Sequence, residues 1–384
     1  MIKEGRLRRV RLVLLLLAAL TGAWWAWLRP VGPRQGPDPV ALQDGWAVSS
    51  PTAEGFDARA LQQAIEGVLD KPLDVHAVLV ARHGRLVSES YQGGLDRSVY
   101  ALVSIRHSFG PQELHDVRSV GKSITSLLYG IALDEKRVPD PSAGVLASYP
   151  ALERTASPAS RAIRIQDLLD MGSGLDWREG EPGWNDELRL FWKRDVPGYV
   201  FSRGVVTAPG TAFNYNGGGT AVLSDLITRG TGMPLDAYAR QRLFAPMGIT
   251  HWAWVKDLHG RPMAFNGLRM RPRDLLKIGR LVLSRGQWQG HQLVPAAWID
   301  RSMQPHLVTG VSDFRYGSQW WSGSVRWHGQ PVAWHAAFGN GGQRLFVLPA
   351  LDLAIVTTAG AYDQSNTAIA VNRLVQGVVD SVRE

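Results

Sequence analysis

Apolar positions recur at three- and four-residue spacing in the run SITSLLYGIAL, where Ile124, Leu127, Leu128 and Ile131 share one face. That period predicts a buried helix, with Ser119 at its start. Ala58 to Leu69 also reads as a helix, with Asp57 placed to cap it. Helical patterns continue through IQDLLDM, TAVLSDLITRG and PRDLLKIGRLVLSRG, and a last helix is predicted from Asn366 to Val382. Near the two ends the composition changes. HAVLVAR and RLVSESY, joined at His83 and Gly84, predict a hairpin, and RLFVLPA and LDLAIVTT predict a second strand pair turning near Pro349. Strands at both ends must pair with one another to bury their apolar faces, which leaves residues 119 to about 310 as an inserted helical lobe. The expected fold is therefore α+β, an antiparallel sheet flanked by helices, with a site in the cleft where sheet and lobe meet.

Composition changes this picture only at the N-terminus. The chain has 384 residues, 45% of them hydrophobic, which is enough for a substantial core. Its net charge of +8 suggests nucleic acid until the charge is located. Residues 1–39 hold seven basic and two acidic side chains, so +3 remains for everything else and the nucleic-acid reading loses its support. Five of those cations precede an uncharged apolar run from Leu12 to Leu28. As a helix, seventeen residues span roughly 26 Å, near the lower limit for a bilayer. Trp24, Trp25 and Trp27 beside Arg29 favour an uncleaved anchor over a cleaved signal, so the body is expected outside the cytoplasm, at the membrane or in the periplasm. Residues 29–44 are expected to be a linker, and 45–384 the catalytic body. With no cysteine, disulfides and thiolate catalysis are excluded. The 10 histidines show no metal-ligand spacing, so neither metal nor cofactor is expected.

Candidate chemistry begins at Ser119 and Lys122, which stand one helical turn apart on one face. The hydroxyl would sit at the positive end of the helix, where developing negative charge is favoured. A serine cap followed by a solvated lysine is the plainer alternative. Gly121, Lys122 and Ser123 also mimic the end of a phosphate loop, but that loop needs a glycine where Asp116 stands. Tyr215, between Pro209-Gly210 and three glycines, can reach the serine and lysine if its loop folds back. Gly339, Asn340, Gly341 and Gly342 precede a strand, where glycines allow backbone to approach a ligand closely. Such a segment can offer the Asn340 N–H to an oxyanion beside that of Ser119, or be an ordinary turn.

Taken in order, these pieces resemble the serine beta-lactamase and penicillin-binding protein superfamily, most closely its class C-like esterase and 6-aminohexanoate-dimer hydrolase branch. The resemblance covers about residues 45 to 380. It rests on SVGK at Ser119 to Lys122, FNYNGGGT around Tyr215 and FGNGGQRLFVLP around Asn340, supported by LLDMGSGLDW and GLRMRPRDLLKIGRLVLSRGQW. It implies a beta-lactamase/transpeptidase-like fold and a serine hydrolase working through an acyl-serine, with Ser119 as nucleophile and Lys122 and Tyr215 sharing removal of its proton. Asn216, Gly339 and Gly341 become substrate contacts, and Trp177, Trp184 and Asp186 become candidates for the cleft wall, in the loop that faces substrate in the nylon-oligomer branch, although aromatic residues in loops more often cover core. His335 is expected to be structural.

Two departures narrow the expectation. The family's tyrosine motif ends in asparagine two positions later, where Gly217 stands here with Asn216 adjacent. Its third motif begins with lysine or histidine, where Gly339, Asn340 and Gly341 stand here. The cation that grips a substrate carboxylate is missing, which favours small esters, amides or short peptides over beta-lactams and D-alanyl-D-alanine substrates. The alternative class is a non-catalytic, membrane-tethered protein that binds peptidoglycan or a partner.

Overall fold

The computed structural model describes residues 31–101, 103–179 and 184–383. The anchor expected at 1–28 lies outside the described residues, and among those described no helix is long and apolar enough to cross a membrane.

Nine strands form the main sheet: β1 (Ala47–Val48), β2 (Val75–Arg82), β3 (Arg85–Tyr91), β4 (Leu307–Val308), β5 (Arg315–Gly317), β6 (Trp320–Trp327), β7 (Gln330–Gly339), β8 (Gln343–Leu348) and β9 (Leu353–Ala359), in the spatial order β1-β3-β2-β9-β8-β7-β6-β5-β4. The expected pairing of the chain's two ends is the β2–β9 ladder, with Ile355 opposite Val80 and Val356 opposite Leu79. The β2–β3 hairpin turns at His83 and Gly84, whose φ values of 50° and 70° lie in the left-handed region that two-residue hairpins require. The sheet departs from the expectation at one edge. There β1 runs parallel to β3, so the sheet is mixed and not wholly antiparallel.

Side chains on successive strand positions go to opposite faces, and here both faces are covered. Val78 and Val80 of β2, with Phe346 and Ile355, join helices α1 (Ala58–Leu69) and α5 (Ser365–Asp380) on one side. Ala77, Leu79 and Ala81, with Leu345 and Val356, face the lobe on the other. This burial on two sides explains why these strands read as continuous apolar runs. On the lobe side lie α2 (Val120–Asp134), α3 (Gly217–Thr231), which packs on α2, and α4 (Pro272–Leu283), which lies on β8 and β9. The Asp57 carboxylate caps α1 as expected, accepting from the N–H groups of Arg59 and Ala60.

Residues 31–44, expected as a linker, are tied to the body where described. Gln35 exchanges two backbone hydrogen bonds with Tyr91, and Val40 gives its N–H to Glu89 and its carbonyl to Arg273.

Candidate active site

The nucleophile candidate is presented by a strained turn. Asp116 is fully buried and its carboxylate accepts the N–H groups of Val99 and Arg118, both at 2.9 Å. Arg118 is thereby held at φ 52°, a left-handed conformation that costs a non-glycine residue energy. Its guanidinium lies over the Tyr362 ring at 4.0 Å. Ser119 follows at the start of α2 but makes no side-chain cap, so the plain capping role is not realised.

Lys122, 1% exposed, directs its ammonium to three acceptors: Ser119 Oγ at 3.0 Å, the Phe265 carbonyl at 2.9 Å and Glu187 Oε2 at 3.2 Å. Burial alone would lower its pKa, but the Glu187 charge, then Tyr215 and Glu179, outweigh burial and hold the ammonium well above its ordinary range. Tyr215 comes back to this point, with Lys122 Nζ 4.7 Å from its ring centre and its hydroxyl beside that of Ser119. Burial raises the Tyr215 pKa, and Lys122 only partly offsets it, so the residue is a neutral phenol. Trp321 stacks on Tyr215 on one side and on Phe338 on the other, with ring centres at 6.0 and 5.4 Å.

The end of β7 comes equally close. A Cβ at Gly339 would overlap the Val117 carbonyl and stand 3.1 Å from Arg118 Cβ, so only glycine lets this strand meet the nucleophile turn. Asn340 is fixed by reciprocal bonds with Asp363: its Nδ2 donates to Oδ1 at 2.6 Å, and the Asp363 N–H donates to its Oδ1 at 2.8 Å. Gly341 and Gly342 then turn the chain at φ 88° and 99°. Thus Ser119, Lys122 and Tyr215 meet between sheet and lobe, and the end of β7 abuts the turn that carries Ser119.

Four of the expected substrate contacts have partners within the protein. Trp177 is 3% exposed and packs beneath Gly218, where a Cβ would lie 2.6 Å from its ring. Asp186 is fully buried, accepting the Tyr199 hydroxyl at 2.5 Å and the Arg178 N–H at 3.1 Å, so it holds its own loop together. Asn216 caps α3 by accepting the Gly219 N–H at 3.0 Å. Trp184 is at the surface, but its ring is covered by the Arg189 guanidinium 3.5 Å from the ring centre. His335 bonds Ser322 at 2.9 Å, and burial lowers its pKa to about 4, consistent with a structural role.

Two acids escape the sequence reading. Glu187 accepts from Lys122 and, on its other oxygen, from Asn266 Nδ2 at 2.8 Å. Glu179 accepts the Trp177 indole N–H at 2.7 Å and the Gly217 backbone N–H, and its pKa is pushed up to about 8 by burial and by Glu187. Their only signal is position, shortly after the GSGLDW phrase, and spacing does not show which acid turns inward.

A family model described as beta-lactamase matches residues 54–374. The 6-aminohexanoate-dimer hydrolase of Paenarthrobacter ureafaciens is 26% identical over 302 residues, covering 73% of this chain and 71% of that one. Among solved structures, a penicillin-binding protein homologue from Caulobacter crescentus superposes with a TM-score of 0.67 at 15% identity, covering 91% of this chain and 99% of its own. A family VIII carboxylesterase gives 0.64 at 14% identity, covering 89% and 100%.

Proposed function

The chain belongs to the beta-lactamase family and is an enzyme of the serine hydrolase type; from that premise we propose that it cleaves esters or simple amides through an acyl intermediate on Ser119. One observation carries the assignment: the buried Lys122 amine stands 3.0 Å from Ser119 Oγ, in a pocket closed by Tyr215. Ser119 Oγ attacks the substrate carbonyl while Lys122 or Tyr215, having first given up its own proton, takes the hydroxyl proton and returns it to the leaving group. The N–H groups of Ser119 and Asn340 receive the oxyanion, each worth about 3 kcal/mol of barrier. Water then releases the acyl group by the same steps.

The substrate class follows from what the third motif offers. Gly339, Asn340 and Gly341 present no cation, and the nearby Arg344 points into the protein, donating to the Gly339 and Gln343 carbonyls at 2.8 and 2.9 Å. The motif itself thus brings no cation to a substrate carboxylate, which favours esters and linear amides over beta-lactams. The names of the relatives, a 6-aminohexanoate-dimer hydrolase and a carboxylesterase, agree with that class. The export reading of residues 1–28 rests on sequence alone and places the enzyme outside the cytoplasm.

Labelling by a fluorophosphonate probe and turnover of p-nitrophenyl esters are expected of the wild type, with both abolished in Ser119→Ala. Persistent labelling of that variant would remove Ser119 from the mechanism, and robust cephalosporin hydrolysis would overturn the substrate class.

A further inference from the structure

Gly217 stands where the family's tyrosine motif ends in asparagine, and the space that an asparagine side chain would need at this position is already filled. A Cβ built there would overlap Glu187 Oε2 and lie 3.0 Å from Glu179 Oε1. A side chain at 217 and Glu187 in its present place exclude one another. Glu187 reaches this spot from a separate short helical turn, Asp186–Arg189, and its second oxygen is held by Asn266 Nδ2 at 2.8 Å.

We propose that Glu187 is the positioning residue for Lys122, from the space that a side chain at 217 would fill: its carboxylate holds the ammonium one hydrogen bond from Ser119 Oγ and acts as its counter-ion. The inference rests on the serine hydrolase reading above. An amide would position the lysine without favouring either protonation state. A carboxylate positions it and also stabilises the ammonium, so this site needs a higher pH to free the amine than an amide-supported site would. The charged or titratable groups around Glu187 are Lys122 from α2, Glu179 and Tyr215 from the adjoining loops, and Tyr100. Glu179 keeps its proton through neutral pH, so a single carboxylate charge faces the single ammonium. Tyr100 is held well above its ordinary range by burial and is neutral.

Substitutions at 187 separate position from charge. Glu187→Gln keeps an acceptor and removes the charge. Its plateau kcat should stay within about threefold and its KM within about twofold of wild type, while the acid limb of kcat/KM moves at least one pH unit lower. Glu187→Ala removes both functions, and its plateau kcat should fall at least tenfold with little change in KM. Adding Gly217→Asn to that variant should return kcat to the level of Glu187→Gln, because an amide again reaches Lys122. An unmoved acid limb in Glu187→Gln would overturn the proposal, as would loss of activity at every pH, which would make Glu187 a proton carrier. A wild-type plateau in Glu187→Ala, or no rescue by Gly217→Asn, would overturn it too. Thermal melts check that each variant folds, and if Glu187→Ala does not, the Glu187→Gln profile decides alone. Ser119→Ala labelling in the same preparation tests the serine reading separately.

Discussion

Single side chains in this site are set by which charges they face while buried. Glu179 shows this most simply. Its carboxyl lies beside Glu187 and titrates at about 8 where an ordinary glutamate titrates near 4.5, so between those values the folded protein binds a proton that the unfolded chain has released. Stability contributed by the neutral carboxyl is therefore fully present below pH 4.5, declines as pH rises, and is gone above about 8. Glu179→Gln keeps an oxygen for the Trp177 and Gly217 donors and removes the titration. Melting temperatures measured from pH 4.5 to 8.5 should converge for wild type and variant at the acid end, with the variant the more stable at pH 8. Parallel curves across that range would show that Glu179 does not carry the proton. The sequence reading points to Asp186 and passes over its neighbour Glu187. Adjacent residues in a short helical turn point in different directions, and spacing does not reveal which one turns toward Lys122.

At the scale of elements, the site depends on two chain segments approaching closer than side chains permit. The Ser119 turn is fixed by Asp116 and the left-handed Arg118, and β7 ends against it at Gly339. Gly339→Ala must push the strand end from the Val117 carbonyl and carry the Asn340 N–H away from any oxyanion held at Ser119. The expected result is a loss of about 10²- to 10³-fold in kcat, the usual effect of removing one such donor, with a smaller change in KM. Wild-type kcat in this variant would mean that Asn340 is not an oxyanion donor. Much at this scale is legible in the sequence. The 3.6-residue period locates α2, the glycines around Asn340 mark a close approach, and Tyr215 stands out between turn residues. For Trp177 and Asn216 the sequence does not choose, because a ring packed under a helix and an amide capping one have the same sequence signature as groups lining a cleft.

At the scale of the whole molecule, the sheet joins strands from opposite ends of the chain, and this is legible because runs apolar on both faces have nowhere else to be buried. The parallel β1 edge is not, since two paired residues leave no period to read. The segment that reads as a linker is instead a strap along that edge, held at Arg273. This side chain, 1% exposed, bonds Glu89 through Nε at 2.8 Å and again through Nη2, Asp44 at 3.0 Å and the Val40 carbonyl at 2.6 Å, while its own carbonyl accepts the Trp46 indole at 3.1 Å. Glu89 is itself buried and also accepts the Tyr91 hydroxyl at 2.7 Å. Arg273→Ala leaves that carboxylate buried without its cation, a change that costs about 3–5 kcal/mol where one partner of a buried pair is removed. Urea denaturation should show that loss, and limited proteolysis should cut the variant first within residues 31–46. Because the hydrogen bonds of Arg273 go to Glu89, Asp44, Val40 and Trp46, and not to Ser119, Lys122 or Tyr215, turnover per folded molecule should be unchanged. A variant within about 1 kcal/mol of wild type would show that the strap is held by its backbone bonds to Tyr91 and not by the buried charge.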